Sequence, residues 1–124
     1  MAAHPTEGAG ERITWHRALP SRSVGTRLVR VELDGTPVLT GRLIGGEPIA
    51  VTPVCPHRAR PMDGGAVYAD VIACPHHQYT YDAYTGQNRF PRNAFPEHMR
   101  RHVKDIRTYP ARDDGQWVWV GLPD

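Results

Sequence analysis

The chain of 124 residues contains two cysteines, and each opens the same tripeptide, Cys-Pro-His, within Val54 to Asp82, VCPHRARPMDGGAVYADVIACPHHQYTYD. The candidate metal donors are Cys55-x-His57, then sixteen residues, then Cys74-x-x-His77. Thiolate and imidazole donors in this number suit two kinds of centre. One tetrahedral zinc could take all four with no redox chemistry. Alternatively, two thiolates could hold one iron of a [2Fe–2S] cluster while two imidazoles hold the other. Zinc fingers usually pair like with like, because each short segment clamps one side of one ion. Here each segment offers one cysteine and one histidine, which suits two metal atoms side by side.

The elements that must position these donors read as strands and turns. Twelve Gly and twelve Pro with a negative mean hydropathy describe a turn-rich, all-β protein. In "LVRVEL", Leu28 to Leu33, the alternation places Val29, Val31 and Leu33 toward a core and Arg30 and Glu32 toward water. Asp34-Gly35 then marks a tight hairpin turn before "TPVLTGRLI". Gly45-Gly46 marks a second turn, and "EPIAVTPV" leads into Cys55. Near the C-terminus, "VKDIRTYPAR", Asp114-Gly115 and "QWVWVGL" read as a closing hairpin. Residues 54–96, rich in Pro, Gly, His and aromatics, read as a loop-built unit inserted in the sheet, and "FPEHMRRHV" as a short helical turn. The expected organisation is a flexible tail over 1–11 and a single domain over 12–124.

The cysteine-histidine segment resembles the Rieske iron–sulfur family, whose signature is Cys-x-His, a spacer of similar size, then Cys-x-x-His. "CPHRARPMDGG" is similar to the family's first cluster loop and "CPHHQYTYDAYTGQ" to its second. The resemblance implies an antiparallel β-sandwich or barrel-like fold with a loop-built cluster-binding subdomain. It also implies a Rieske-type [2Fe–2S] cluster, with Cys55 and Cys74 on one iron and His57 and His77 on the other. His76 falls on a spacer position. Tyr81 and the backbone N–H groups of the turn at Gly64 and Gly65 are the expected hydrogen-bond donors to the cluster sulfurs. Gln78 stands where the family usually has Gly, and Tyr79 where it often has Trp. Respiratory members carry two further cysteines and a membrane anchor. This chain has only the two cysteines and no apolar run of about 20 residues, so the resemblance is to soluble ferredoxins and to the Rieske domains of aromatic-ring oxygenases.

Mixed ligation by two thiolates and two neutral imidazoles leaves an oxidised cluster uncharged, so it accepts an electron more readily than an all-cysteine cluster. The implied function is one-electron transfer from a flavin reductase to a terminal oxygenase, with no catalysis by this chain alone. The alternatives are an electron-transfer subunit of an oxygenase or nitrite-reductase-like complex, and a cluster-free or zinc-binding interaction module. Glu97, His98 and His102 have the residue types of a mononuclear-iron triad, but the basic, short segment reads instead as a solvated connection. A net charge of +2 gives no ground for nucleic-acid binding, and a cytoplasmic location is expected. Six of the fifteen basic residues fall between Arg89 and Arg107. Arg89, Arg92, Arg100 and Arg101 are thus candidates for docking an acidic redox partner.

Overall fold

The computed structural model describes residues 12–55, 60–75 and 79–124, with the side chains of residues 60 and 100–102 set aside. The expected tail over 1–11 lies outside the described residues. Among the described residues, thirteen strands follow in order: β1 (Ile13–Pro20), β2 (Val29–Leu33), β3 (Thr36–Arg42), β4 (Pro48–Val51), β5 (Val54–Cys55), β6 (Arg60–Pro61), β7 (Ala66–Val67), β8 (Val71–Ala73), β9 (Thr80–Asp82), β10 (Asn88–Phe90), β11 (Thr108–Tyr109), β12 (Ala111–Asp113) and β13 (Trp117–Pro123). They form antiparallel sheets ordered β1-β13-β12, β11-β4-β3-β2 and β10-β9-β8-β7, with β5 and β6 as a separate pair. The fold is all-β. Helical turns among the described residues are 3₁₀, including Glu97–His102, and no helix is long and apolar enough to cross a membrane.

The β2–β3 hairpin forms where Asp34-Gly35 marks it. Leu33 pairs with Thr36, and the two residues between them have φ of 52° and 83°, the positive pair that a two-residue turn matching the strand twist requires. In β2 the expected inward set is corrected at its start. Leu33 is buried, but Val29 is 40% exposed. Leu28, the residue before the strand, is buried on the opposite face, in the core with Leu39 and Met62, and exchanges backbone hydrogen bonds with Gly64 and Gly65. β2 is an edge strand, so its first residue has cover on one side only.

β3 explains how the layers stack. Val38 and Leu39 are neighbours in sequence and both fully buried. Successive strand side chains face opposite ways, so this strand is covered on both faces. Val38 packs with Leu33, Ala50, Val120 and Leu122, which join the β2–β3–β4–β11 sheet to the β1–β13–β12 sheet. Leu39 packs with Leu28, Val51, Met62, Ile72 and Tyr81, the core shared with the cysteine-bearing unit. The middle sheet is therefore one floor with two rooms, each built by one parity of the same strands.

The C-terminal segment divides at Pro110. Thr108 and Tyr109 pair with β4, whereas Ala111 to Asp113 pair with β13. A proline cannot donate to a ladder, so the chain leaves one sheet for the other there, while the Pro110 carbonyl still accepts from Gly121 N–H. Along β13, Val118 and Val120 point inward and Trp117 and Trp119 lie half-buried outside. The Arg17 guanidinium stacks over Trp117 at 4.4 Å from the ring centroid.

Candidate metal centre

Both cysteines end a strand at the mouth of a hairpin. Cys55 is the last residue of β5 and pairs with Arg60 of β6. Cys74 follows β8 directly, and its N–H donates to Tyr79 O at 2.9 Å above the Ala73–Thr80 pair of β8 and β9. Each thiol is thus held by a ladder. Residues 56–59, which include His57, and residues 76–78, which are His76, His77 and Gln78, lie outside the described residues.

The two thiols share one apolar wall. Cys55 and Cys74 are 0% and 5% exposed, and both belong to the core that contains Leu28, Met62, Ile72 and Tyr81. Neither is in a disulfide. Tyr81 in β9 belongs to the same core, fully buried, with its hydroxyl 3.1 Å from Cys55 Sγ. Burial pushes the Tyr81 phenol far above its ordinary range, and the Cys55 hydrogen bond and the nearby Cys55 and Cys74 sulfurs push the same way. The hydroxyl is therefore a permanent O–H beside sulfur.

The turn that was expected to supply backbone donors does something else. Gly64 N–H donates to Leu28 O at 2.8 Å and Gly65 N–H to Met62 O at 3.0 Å, so both are spent on the fold. Gly64 and Gly65 thus help to position the unit through these backbone bonds. A Cβ at Gly65 would lie 2.6 Å from Ala73 O, so the glycine permits the close approach of this turn to β8. Arg30 of β2 clamps the same turn through two hydrogen bonds of 2.9 Å to Asp63, and this contact holds the Asp63 carboxyl below its usual range.

Behind Tyr81, Asp82 organises the β9–β10 connection. Its Oδ1 accepts from the N–H groups of Tyr84 and Thr85, and its Oδ2 from Arg89 at 2.7 Å. Burial would raise the Asp82 carboxyl, but Arg89 and the two backbone donors more than offset this and leave it lowered. Arg89 also reaches Asp70 at 3.1 Å. The Arg89 guanidinium thus pairs with two carboxylates of its own chain. Arg92 is half-buried and its N–H donates to Asn88 Oδ1 at 3.0 Å, while the side chains of Arg100 and Arg101 lie outside the described residues.

The arrangement fits the sulfur half of an iron–sulfur centre. Two buried thiols sit in one apolar core, with the neutral Tyr81 hydroxyl within hydrogen-bond distance of Cys55 Sγ. Three contributors escaped the sequence reading. Met62 and Asn88 are 0% and 1% exposed, and Gly86 lies with its Cα against Ile106 O, where a Cβ would come within 2.1 Å. Asn88 sits in "QNRFPRN", a run that reads as loop, and no local signal marks it as interior. Gly86 follows Thr85 in a turn signature, which foretells its positive φ but not the carbonyl above it.

Residues 14–110 match the Rieske [2Fe-2S] domain family. The chain is 30% identical over 115 residues to the oxygenase component of dicamba O-demethylase from Stenotrophomonas maltophilia, covering 90% of this chain and 33% of that protein. It is 28% identical over 109 residues to the 5,5'-dehydrodivanillate O-demethylase oxygenase subunit of a Sphingobium species, covering 86% of this chain and 26% of that one. The chain thus spans a third or less of the length of these curated relatives. Among solved structures it resembles one described as an NADH-dependent nitrite reductase small subunit from Mycobacterium tuberculosis, at TM-score 0.73 and 23% identity over 90% of this chain and 96% of that one. It also resembles the Sphingomonas yanoikuyae B1 ferredoxin, at TM-score 0.69 and 23% identity over 89% and 100%. These last two show the fold. An electron-transfer role accompanies the family. The chain belongs to the Rieske [2Fe–2S] domain family, and its cofactor is a Rieske-type [2Fe–2S] cluster.

Proposed function

We infer that this chain is a one-electron carrier in which Cys55 and Cys74 hold one iron and His57 and His77 the other, passing electrons from a flavin reductase to a terminal oxygenase. The observation that supports the reading is the burial of both cysteine thiols in one core with Tyr81, whose hydroxyl lies 3.1 Å from Cys55 Sγ. When bound, the cluster supplies reversible one-electron chemistry. The residues of the chain set the conditions. Leu28, Met62 and Ile72 exclude water from the cysteine side, so charge added at the sulfurs is weakly screened. Tyr81 then offers a hydrogen bond to Cys55 Sγ that strengthens as negative charge accumulates there, which raises the potential.

Anaerobic purification with iron and acid-labile sulfide analysis, followed by EPR of the dithionite-reduced protein, tests this reading. A Rieske-type signal with iron and sulfide in equal amounts is expected. Colourless, zinc-loaded protein that stays redox-silent after reconstitution ends the case. A second reading is an electron-transfer component of an oxygenase of the O-demethylase kind. It is favoured by the 30% identity to the Stenotrophomonas maltophilia oxygenase component. Oxygen activation is not assigned to this chain: Glu97–His102 is a 3₁₀ turn, whose three-residue repeat differs from the α-helical repeat that the His98–His102 spacing would need. Neighbouring genes for a reductase and an oxygenase large subunit favour the oxygenase system, and a nitrite reductase large subunit favours the other assembly.

A further inference from the structure

We propose that Asn88 is a positioning residue that orients the Tyr81 hydroxyl so that its hydrogen is delivered to Cys55 Sγ. Asn88 is directly opposite Tyr81 in the β9–β10 ladder and is 1% exposed. Its amide has one possible orientation. Oδ1 accepts the Arg92 N–H at 3.0 Å from the 3₁₀ turn Arg92–Ala94, and its own backbone N–H is tied to Asp105 Oδ1 at 2.8 Å. The NH₂ end is therefore the end left inside. That nitrogen is buried and has no hydrogen-bond partner of good geometry. A buried amide that stays unpaired is costly, so it requires an explanation.

The explanation lies across the ladder. Tyr81 is the residue that faces Asn88 there, and the direction in which Asn88 moves the phenol, downward against burial and the two cysteines, is the one a donor turned toward its oxygen would give. An amide NH₂ has no lone pair to accept with, so toward Tyr81 it can only donate. A tyrosine hydroxyl has one hydrogen and two lone pairs. If Asn88 engages the oxygen, the hydrogen remains for the other neighbour, the Cys55 sulfur at 3.1 Å, where donor and acceptor are otherwise interchangeable. A metal-bound cysteine carries no proton, so its sulfur can only accept. The Asn88 amide, the Tyr81 O–H and the Cys55 sulfur then form a relay with a single direction, each link polarising the next. The backbone bond to Arg92 makes the direction independent of solvent.

The inference rests on the ligand assignment above and is tested by reduction potentials of the cluster-loaded full chain. Asn88→Asp keeps the acceptor for Arg92 and replaces the donor by an oxygen that draws the tyrosine hydrogen away. Asn88→Leu removes both. With iron content equal to wild type, both variants are expected to shift the potential downward, Asn88→Asp the further because it also adds negative charge, and in a Tyr81→Phe background the Asn88→Leu shift is expected to vanish and the Asn88→Asp shift to shrink. A double-mutant cycle isolates that coupling. Potentials equal to wild type, or shifts that persist unchanged without the Tyr81 hydroxyl, overturn the role of Asn88 and leave the carrier reading standing. A wild-type chain that binds no cluster overturns both.

Discussion

The sandwich formed by β1–β4 and β11–β13 and the cysteine-bearing unit from β5 to β10 keep their shapes by different means. In the first, β1, β3 and β13 run for seven or eight residues and inward positions are filled by interchangeable aliphatic side chains. In the second, strands are two or three residues long, and single atoms replace the ladder: the Asp82 carboxylate in its turn, the Asn88 amide on Arg92 N–H, the bare Cα of Gly65 and Gly86 against carbonyls. Redundancy makes a stable floor. A site that must hold two thiols at fixed spacing uses contacts that have no substitute, and it leans on the floor through the shared core of Leu28, Leu39 and Val51.

The contrast can be broken most severely at the donors. Cys55→Ser, Cys74→Ser and His77→Ala are each expected to abolish the EPR signal of the reduced protein, while His76→Ala keeps it. Retention of the signal in His77→Ala with loss in His76→Ala reverses the ligand choice. Gly86→Ala comes next. A methyl 2.1 Å from Ile106 O, at a φ of 79°, should cost about 3 kcal/mol of unfolding free energy in denaturant titration. Its counterpart on the floor, Gly45→Ala, meets nothing within 4 Å and should change stability by less than about 0.5 kcal/mol. Equal effects would remove the distinction between the regions.

Tyr81→Phe keeps the ring and removes the O–H beside Cys55. We expect about 1 kcal/mol of destabilisation in the cluster-free protein and a lower potential in the loaded one. Acid sharpens the comparison least, because both regions respond alike. Asp63 and Asp82 in the unit and Asp113 and Asp114 in the floor are all held below the ordinary carboxylate range. Asp113 is lowered first by the Ser21 hydroxyl, and Asp114 by Trp117 N–H. The unfolded chain binds more protons than the folded one in this window, so these groups stabilise the fold above about pH 4 and the contribution is lost as pH falls through their lowered values. The unfolding midpoint should be flat from neutral to about pH 5 and fall below about pH 4. A midpoint that rises on acidification would contradict the sign.

How much was legible from the residues depended on the range of the forces involved. The Asp34-Gly35 turn, the alternation of β13 and the Cys-x-His and Cys-x-x-His spacings are governed by backbone geometry within a few residues, and they could be read directly. Val29 was misread because alternation assigns faces but does not say where the covering layer ends. The backbone partners of the turn glycines were not legible for a related reason. Gly64 and Gly65 have available N–H groups in the sequence, and only the arrival of Leu28 and the return of Met62 consume them.

Donor types, their spacing and the strand-turn grammar around them are properties of short stretches of chain, and these limited the chemistry to metal binding by sulfur and imidazole. Which polar groups meet those donors is set by register between strands distant in sequence. Tyr81 reaches Cys55 across 26 positions, and Asn88 faces Tyr81 because β10 folds back on β9. Burial then decides their protonation and direction, since a hydroxyl removed from water keeps its proton and must direct it to a neighbour.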